Sequence, residues 1–305
     1  MDFGGIMEFE ELNFKHQKLF DAALKIGEHY SADALFSNLY LWRFARKIEI
    51  ASDPDFIFVK QTSKEAGKYF LAPIALNANA DLKNALEILK NYAGKAGFRL
   101  VFRAVTATQK EAIQNALSQE FEFEFDRDHS DYIYSVSDLI NLKGRVYHGK
   151  KNFVNRFAML YGENYERISA ANLAEAAKFA EEWFKRSPYG SNEEKLGILA
   201  VLAEFERFNL RGGLLRAQNE IAAITISEKL SKDRAVIHIE KANAEFQGAY
   251  QAINYAHLAN EYADFASVNR EEDLGIEGLR KAKLSYHPAQ ILEKFTARQN
   301  KDNLC

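Results

Sequence analysis

The same order of predicted elements occurs twice along this chain, and that repetition constrains its fold more than any other feature. Helical patterns around Phe14–Leu24 and Phe36–Ala45 precede three strand-like stretches, after which helices alternate with strands. The order of two helices, three strands, helix, strand, helix and strand returns between Asn172 and Thr296. A repeated order of elements indicates a duplicated domain. Because 305 residues also exceed the usual size of one hydrophobic core, we predict two domains, 1–145 and 146–305.

Three consecutive strands followed by alternating helices and strands indicate a mixed sheet that is covered by helices on both faces. The acetyltransferase-type (GNAT) fold has this order of elements. We therefore predict an α/β (α+β) protein with two tandem GNAT-type acyltransferase domains, each a mixed central sheet flanked by helices. In the C-terminal domain we expect two central strands to separate, so that exposed main-chain amides can face a reacting carbonyl.

The composition excludes several classes of protein. The chain has 40 Lys and Arg against 43 Asp and Glu, so any site for a polyanion must be a local patch. The only cysteine, Cys305, excludes a disulfide framework, and the seven histidines lack metal-ligand spacing. The N-terminus does not resemble a secretory signal, and no apolar run approaches the ~18 residues of a membrane helix. We expect a cytoplasmic protein without a transmembrane segment, a metal or a cofactor.

A basic segment, 143–156, contains no acidic residue. Its cations are interleaved with aromatic rings, which suits phosphate contact combined with base stacking. The cations are Lys143, Arg145, Lys150, Lys151 and Arg156. The alternative is a solvated linker between domains.

A second segment, 235–254, has the pattern of a strand, a turn at Gly248 and the start of a helix. N–H groups at a helix N-terminus can hold a phosphate or a developing oxyanion. In acetyltransferases this turn reads Gln/Arg-x-x-Gly-x-Gly/Ala and binds the pyrophosphate of coenzyme A. Glu245 and Tyr250 depart from that pattern, which argues against coenzyme A. The alternative is a turn that merely needs a glycine.

His238 and Glu240 alternate with isoleucines on the strand of this segment, so we expect them to share one face. Either is a candidate general base, and Tyr250 is the third catalytic candidate. Asn254 is assigned to substrate binding. The alternative for His238 is a packed residue without a catalytic role.

A third segment, 268–288, places polar residues at the end of a strand, where ligands gather in α/β folds. Three acidic residues beside an arginine could bind a cationic amino group there. The alternative is a surface helix with mixed charges.

Two sets of residues resemble the signatures of a known bacterial family. The first set is Asp131-Tyr132-Ile133-Tyr134, Asp138-Leu139-Ile140, Leu142-Lys143-Gly144, Lys150-Lys151-Asn152 and Asn155-Arg156-Phe157. The second is Asn269-Arg270-Glu271-Glu272-Asp273-Leu274-Gly275, Gly278-Leu279-Arg280, Lys283, Tyr286 and Pro288. The family is the stand-alone group related to the C-terminal domain of phosphatidylglycerol lysyltransferase, long catalogued as a domain of unknown function.

The resemblance implies tandem acetyltransferase-type domains, similar also to the Fem-type aminoacyltransferases. It implies transfer of an aminoacyl group from the acceptor end of a charged tRNA to a lipid or other acceptor, with peripheral contact with lipid. The acceptor would attack the ester carbonyl directly, amides near Gly248 would stabilise the oxyanion, and the acidic residues would read the aminoacyl ammonium. The expected substrate-binding residues are Lys143, Arg145, Lys150, Lys151, Asn155, Arg156, Gly248, Asn254, Asn269, Arg270, Glu271, Glu272, Asp273, Arg280, Lys283 and Tyr286.

Two alternative functions remain open from the sequence. One is an acyl-CoA-dependent N-acyltransferase with the same fold, in which acyl-CoA replaces aminoacyl-tRNA as the donor. The other is a non-catalytic binding module, because one member of a duplicated pair often serves only as a support. The oligomeric state is also left open.

Overall fold

The computed structural model describes residues 7–26 and 31–300. Its contacts divide the chain into two compact units, of which the first comprises Met1–Ser130 with Leu292–Cys305 and the second Asp131–Ile291. The C-terminal cysteine and the first six residues of the N-terminal segment lie outside the described residues. In the described ranges, no helix is both long enough and apolar enough to span a bilayer.

The first unit contains an 8-stranded mixed sheet with the order β1-β2-β3-β4-β6-β15-β7, in which β5 pairs with β3. Its helices are α1 (Gln17–Ala23), α2 (Phe36–Trp42), α3 (Leu82–Lys95) and α4 (Ala107–Ala116). Its strands are β1 (Glu10–Glu11), β2 (Lys47–Ser52), β3 (Phe56–Ser63), β4 (Gly67–Phe70), β5 (Ile74–Ala75), β6 (Val101–Thr106), β7 (Phe121–Phe125) and β15 (Lys294–Gln299).

Helix α3 shows how local sequence positions an element of the first unit. The Asp81 side chain caps the helix by accepting hydrogen bonds from N–H groups of the first turn at 3.0 and 3.4 Å. Leu86 and Leu89 are fully buried on one face and belong to the same core cluster as Phe102. Burial of each leucine contributes roughly 1.5–3 kcal/mol.

The second unit contains a 7-stranded sheet with the order β14-β8-β13-β12-β11-β10-β9. Its helices are α5 (Val136–Asn141), α6 (His148–Tyr161), α7 (Leu173–Arg186), α8 (Asn192–Ala203), α9 (Ala249–Glu261) and α10 (Glu277–Leu284). Its strands are β8 (Asp131–Ser135), β9 (Tyr165–Arg167), β10 (Arg211–Ala217), β11 (Glu220–Lys229), β12 (Arg234–Ala242), β13 (Ser267–Asn269) and β14 (Gln290–Leu292). This mixed sheet with flanking helices confirms the predicted fold class.

Each sheet takes one of its inner strands from a distant part of the sequence. In the first sheet β15 lies between β6 and β7, and in the second sheet β8 lies between β13 and β14. Consequently the division by contacts differs from the boundary expected after residue 145: segment 131–145 belongs to the second unit, and the chain from residue 292 onward belongs to the first. Periodicity reveals that a segment is a strand, but it does not reveal which sheet the strand joins.

The basic segment is helical for most of its length, which sequence analysis did not predict. A 3-10 turn at Arg145–Tyr147 leads directly into α6, and α6 packs against α9. The interpretation as a solvated linker is therefore wrong, because the segment is part of the second unit.

The predicted separation of two central strands is confirmed in the second unit. Strands β12 and β13 pair in parallel only at Arg234–Ser267, Ala235–Val268 and Val236–Asn269. Strand β12 then continues to Ala242, whereas β13 has already ended. The sheet is therefore open between β12 and the loop that follows β13.

Replacement of Ala297 by Asp tests the assignment of β15 to the first sheet. Ala297 is fully buried in the core cluster of the first unit. An unpaired carboxylate there should destabilise that unit by more than ~2 kcal/mol. Hydrogen exchange should then show lost protection in β6 and β7, while β11 and β12 keep theirs.

The control for this prediction is Arg298→Gln, because the Arg298 side chain is exposed on the same strand. It should leave both units protected. The assignment of β15 to the first sheet is contradicted if the Asp variant keeps hydrogen-exchange protection in β6 and β7. It is also contradicted if β11 and β12 lose protection equally.

Candidate functional site

The candidate site lies in the second unit, where β12 and the loop after β13 separate. The register between β11 and β12 shifts at this point, since Ile226 pairs with Ile239 and Ser227 with Ile237. His238 therefore occupies a β-bulge, a feature that often reorients side chains beside functional sites. The bulge interrupts the strict alternation from which a shared face of His238 and Glu240 was predicted.

The His238 ring is held between two carboxylates. Its Nδ1 lies 2.7 Å from Glu271 Oε1 and its Nε2 lies 2.9 Å from Glu228 Oε1. The ring is 3% exposed. Burial by itself would lower the pKa of His238, but the hydrogen bonds to Glu228 and Glu271 outweigh it and raise the pKa to about 10.

The imidazolium form of His238 therefore persists through neutral pH. A protonated ring has no lone pair with which to abstract a proton, so this geometry disfavours the predicted general-base role. Both ring nitrogens are also engaged by carboxylates, which leaves neither for a metal. Among the described residues, no group of three His, Cys, Asp or Glu side chains has an arrangement suited to a metal ion.

Glu240 connects the open edge of β12 to the loop after β13. Its Oε1 accepts a hydrogen bond from Arg270 Nη2 at 2.8 Å, and its Oε2 accepts one from Asn254 Nδ2 of α9 at 3.1 Å. The guanidinium of Arg270 also lies 4.8 Å from the ring centroid of Tyr286 and 5.6 Å from that of Tyr134. Its Nη1 is buried without a hydrogen-bond partner among the described residues.

Two lysines complete a cationic cluster around Arg270. Lys283 Nζ donates to the main-chain carbonyls of Arg270 and Glu271, and Lys150 Nζ lies 4.1 Å from the ring centroid of Tyr286. Burial lowers the pKa of Lys283 to about 8, and the nearby charge of Arg270 acts in the same direction. The pKa of Lys150 is lowered by the same two causes. We call Lys150, Arg270 and Lys283 the cation cluster.

Asp273 and Arg280 fix the shape of the loop. The fully buried Asp273 carboxylate accepts bonds from Tyr132 Oη at 2.5 Å, from Arg280 Nε and Nη2 at 2.8 Å, and from Gly275 N at 2.9 Å. Burial would raise the pKa of Asp273, but the bonds from Arg280 and Tyr132 hold it well below its usual range. This saturation disfavours the expected binding of an ammonium by Asp273.

Asn269 is likewise part of the scaffold. Its side chain donates to Asp131 Oδ2 at 2.8 Å and accepts from the N–H of Glu271 at 2.7 Å, with Asn269 and Asp131 both fully buried. Glu271 itself has φ of +57°, a left-handed backbone conformation that is uncommon for a residue other than glycine. Glu272 lies close enough to Lys283 for its charge to oppose the lowering of that pKa.

Gly248 is explained by close helix packing. Its φ is +89°, and a Cβ at this position would lie 2.4 Å from the carbonyl oxygen of Phe153 on α6. A side chain here would therefore collide with the main chain of α6. This favours the interpretation that the turn needs a glycine. Tyr250 lies farther along, near Ala242 and Trp183, and not in contact with His238 through any bond that the structure describes.

The other residues of the basic segment lie on exposed surface next to Lys150. The exposed residues are Lys143, Arg145, Lys151, Asn155 and Arg156. Only Lys150 of the basic segment reaches the cation cluster, because its side chain extends to Tyr286.

Glu228 and the site role of Tyr134 were not predicted from the sequence. Glu228 is 9% exposed near the end of β11, a strand whose six preceding residues are buried or nearly so. A carboxylate at the end of such a strand was the available signal, because a buried charge needs a partner.

Comparison with known proteins identifies the family. The family model described as "Phosphatidylglycerol lysyltransferase, C-terminal" matches residues 24–298. An uncharacterised protein of Mycoplasmoides gallisepticum, MYCGA3080, is 23% identical over 170 residues, which are 54% of this chain and 55% of that relative. The match thus spans about half of the relative's length.

Three solved structures share the fold of this chain. A conserved protein of unknown function from Bacteroides thetaiotaomicron is 32% identical with a TM-score of 0.88, covering 96% of this chain and 100% of that one. L-PGS from Bacillus licheniformis is 16% identical with a TM-score of 0.67, covering 96% and 93%. FemX is 11% identical with a TM-score of 0.61, covering 94% and 96%. From the extent of the family match, the chain belongs to the family of the phosphatidylglycerol lysyltransferase C-terminal domain.

Proposed function

We propose that this protein is an aminoacyltransferase that moves an aminoacyl group from a charged tRNA to a lipid or other acceptor. The observation that carries the proposal is the cation cluster at the split of the second sheet. Three cations converge there, and Nη1 of the buried Arg270 guanidinium makes no well-oriented hydrogen bond within the described chain, although Tyr286 lies beside the guanidinium. Such an arrangement suits an anion that supplies the missing acceptors.

The basic surface of α6 would bring the RNA to this site. Lys151 and Asn155 lie four residues apart and therefore occupy the same exposed face of the helix. This face would contact backbone phosphates, while Lys150 would contact the phosphate nearest the ester. Phosphate contacts of this kind position a nucleic acid without reading its sequence.

The transfer step needs a base for the acceptor and a cation for the oxyanion. Because His238 is held protonated, we assign Glu240 to take the proton from the attacking acceptor, since each of its oxygens accepts a single hydrogen bond and keeps a lone pair. The new bond forms to the ester carbonyl carbon, and Lys283 and Arg270 stabilise the negative oxygen. The bond to the ribose oxygen then breaks, and that oxygen recovers the proton from Glu240. No covalent enzyme intermediate and no cofactor is needed.

In this scheme the cation cluster stabilises the oxyanion, and the amide groups near Gly248 are not needed for it. The carbonyl oxygen of Phe153 lies against Gly248, so close helix packing explains the glycine without a bound substrate. The departures at Glu245 and Tyr250 count against the rival acyl-CoA-dependent reaction, which relies on this turn for pyrophosphate. Micromolar binding of acetyl-CoA in calorimetry would favour the rival.

Removal of Lys150 and Lys151 should weaken RNA binding. The variant Lys150→Ala with Lys151→Ala loses two phosphate contacts, so its affinity for charged tRNA should fall. The slope of log affinity against log salt concentration should also decrease by about 2, or about 1 for each lysine. Filter binding across a salt titration measures both quantities.

The matched control is Lys185→Ala, which removes an exposed lysine of α7 that pairs with Glu182. Its salt slope should equal that of the unmodified protein. A double variant with an unchanged slope would refute the assignment of α6 to the RNA.

The pH dependence of transfer should report Lys283. If its ammonium stabilises the oxyanion, the contribution of Lys283 to activity is complete below its pKa of about 8 and is lost as the pH rises through that value. In Lys283→Arg the charge persists to far higher pH, so the decline at about pH 8 should disappear. Single-turnover transfer of a labelled amino acid, corrected for spontaneous ester hydrolysis, measures the profile.

Lys283→Met serves as the companion variant, because it keeps a long side chain but carries no charge. It should lose transfer at every pH. If the Arg variant still declines near pH 8, another group is responsible.

A further inference from the structure

A cavity at the other end of α9 is lined by charges of both signs. Its volume is about 290 Å³ and its lining residues are Arg167, Ile168, Leu210, Arg211, Gly212 and Glu261. Glu261 is the last residue of α9, about 10 Å along the helix from Asn254 at the cation cluster. The cavity is therefore separate from the candidate site within the same unit.

The anionic side of the cavity is the carboxylate of Glu261. Its side chain is only 5% exposed, and its Oε1 accepts bonds from Arg167 Nε at 2.5 Å and from Tyr165 Oη at 3.3 Å. The main-chain carbonyl of Glu261 belongs to the C-terminal end of α9, where the helix dipole favours a cation. Oε2 of Glu261 accepts no hydrogen bond from the described residues, so this oxygen can accept one from a positively charged group.

The cationic side consists of two guanidiniums. Arg211 Nη1 donates to the carbonyl of Glu261, and its Cζ lies 4.8 Å from the ring centroid of Tyr262. Arg167 donates a hydrogen bond from Nε to the Glu261 carboxylate, and its side chain is 70% exposed. Because a guanidinium has five N–H donors in a planar fork, each arginine keeps donors for a carboxylate.

A hydrogen-bonded chain in the interior fixes Glu261 in place. Tyr165 Oη lies 2.9 Å from His257 Nδ1, and His257 Nε2 lies 2.7 Å from Ser227 Oγ. Burial, and secondarily the charge of Arg211, lowers the pKa of His257 to about 3, so the ring is neutral. Gly213 leaves room for the Tyr165 ring, since a Cβ at residue 213 would lie 2.5 Å from that ring.

We propose that this cavity is a second binding site, which takes a small zwitterion of the free α-amino acid class. The ammonium lies against Glu261 and the carboxylate against Arg167 and Arg211. A cavity of this size is at the lower end for small-molecule sites, which suits a ligand of few heavy atoms. Neither a simple anion nor a simple cation uses both sides of the cavity.

Calorimetry on the full chain with L-alanine, L-lysine and L-glutamate tests this proposal. At least one should bind with a Kd below about 1 mM. Propionate carries only the carboxylate and ethylamine only the ammonium, so each should bind at least tenfold more weakly. Arg211→Gln and Glu261→Gln should each weaken the amino acid at least tenfold. Arg167→Gln, on a largely exposed side chain, provides a variant that should fold normally and show the same loss.

Two control variants locate the binding. Arg207→Gln alters an exposed arginine that pairs with Glu204 outside the cavity, and it should not change the affinity. Arg270→Gln alters the cation cluster, and it should not change the affinity either. The proposal is overturned if none of the three amino acids binds with a Kd below about 1 mM. It is also overturned if propionate or inorganic phosphate binds as tightly as the amino acid, or if Arg270→Gln abolishes binding while Arg167→Gln and Arg211→Gln do not.

Discussion

The short pairing between β12 and β13 is the constraint on which the candidate site depends. Beyond Val236 the main chains of β12 and β13 no longer form hydrogen bonds with each other, so side chains bridge the opening. His238 does so as a buried imidazolium between Glu228 and Glu271, and Glu240 does so through Arg270. These charge-assisted bonds hold the loop after β13 in a backbone conformation that Glu271 would not adopt freely.

The same bridges allow several cations to share a small volume. Glu240 offsets the charge of Arg270, while Lys283 is held by main-chain carbonyls and by the proximity of Glu272. Burial is the larger cause of the lowered pKa values of Lys283 and Lys150, and the nearby charge of Arg270 is the second cause. Buried cations with perturbed pKa values at the opening of a sheet are typical of functional sites.

The sequence predicted the order of elements, because hydrophobic periodicity is a local pattern, and likeness to the acetyltransferase-type fold predicted the separation of two strands. It did not predict that β8 and β15 join distant sheets, since partner choice depends on contacts that are remote in sequence. Nor did it predict the role of His238: whether a histidine is a base or a fixed cation depends on carboxylates from β11 and from the loop after β13. The charge of the basic segment predicted Lys150 as a binding residue, but only the structure reveals its contact with the Tyr286 ring.

The position of β15 has a consequence for synthesis of the chain. During translation, β6 and β7 leave the ribosome long before the strand that separates them exists. Until then β6 and β7 each have an edge with unpaired main-chain N–H and C=O groups. Such edges can pair with the wrong strand and promote aggregation. The first sheet is therefore completed only after β15 has emerged, so the first unit is expected to finish folding after the second unit has been synthesised.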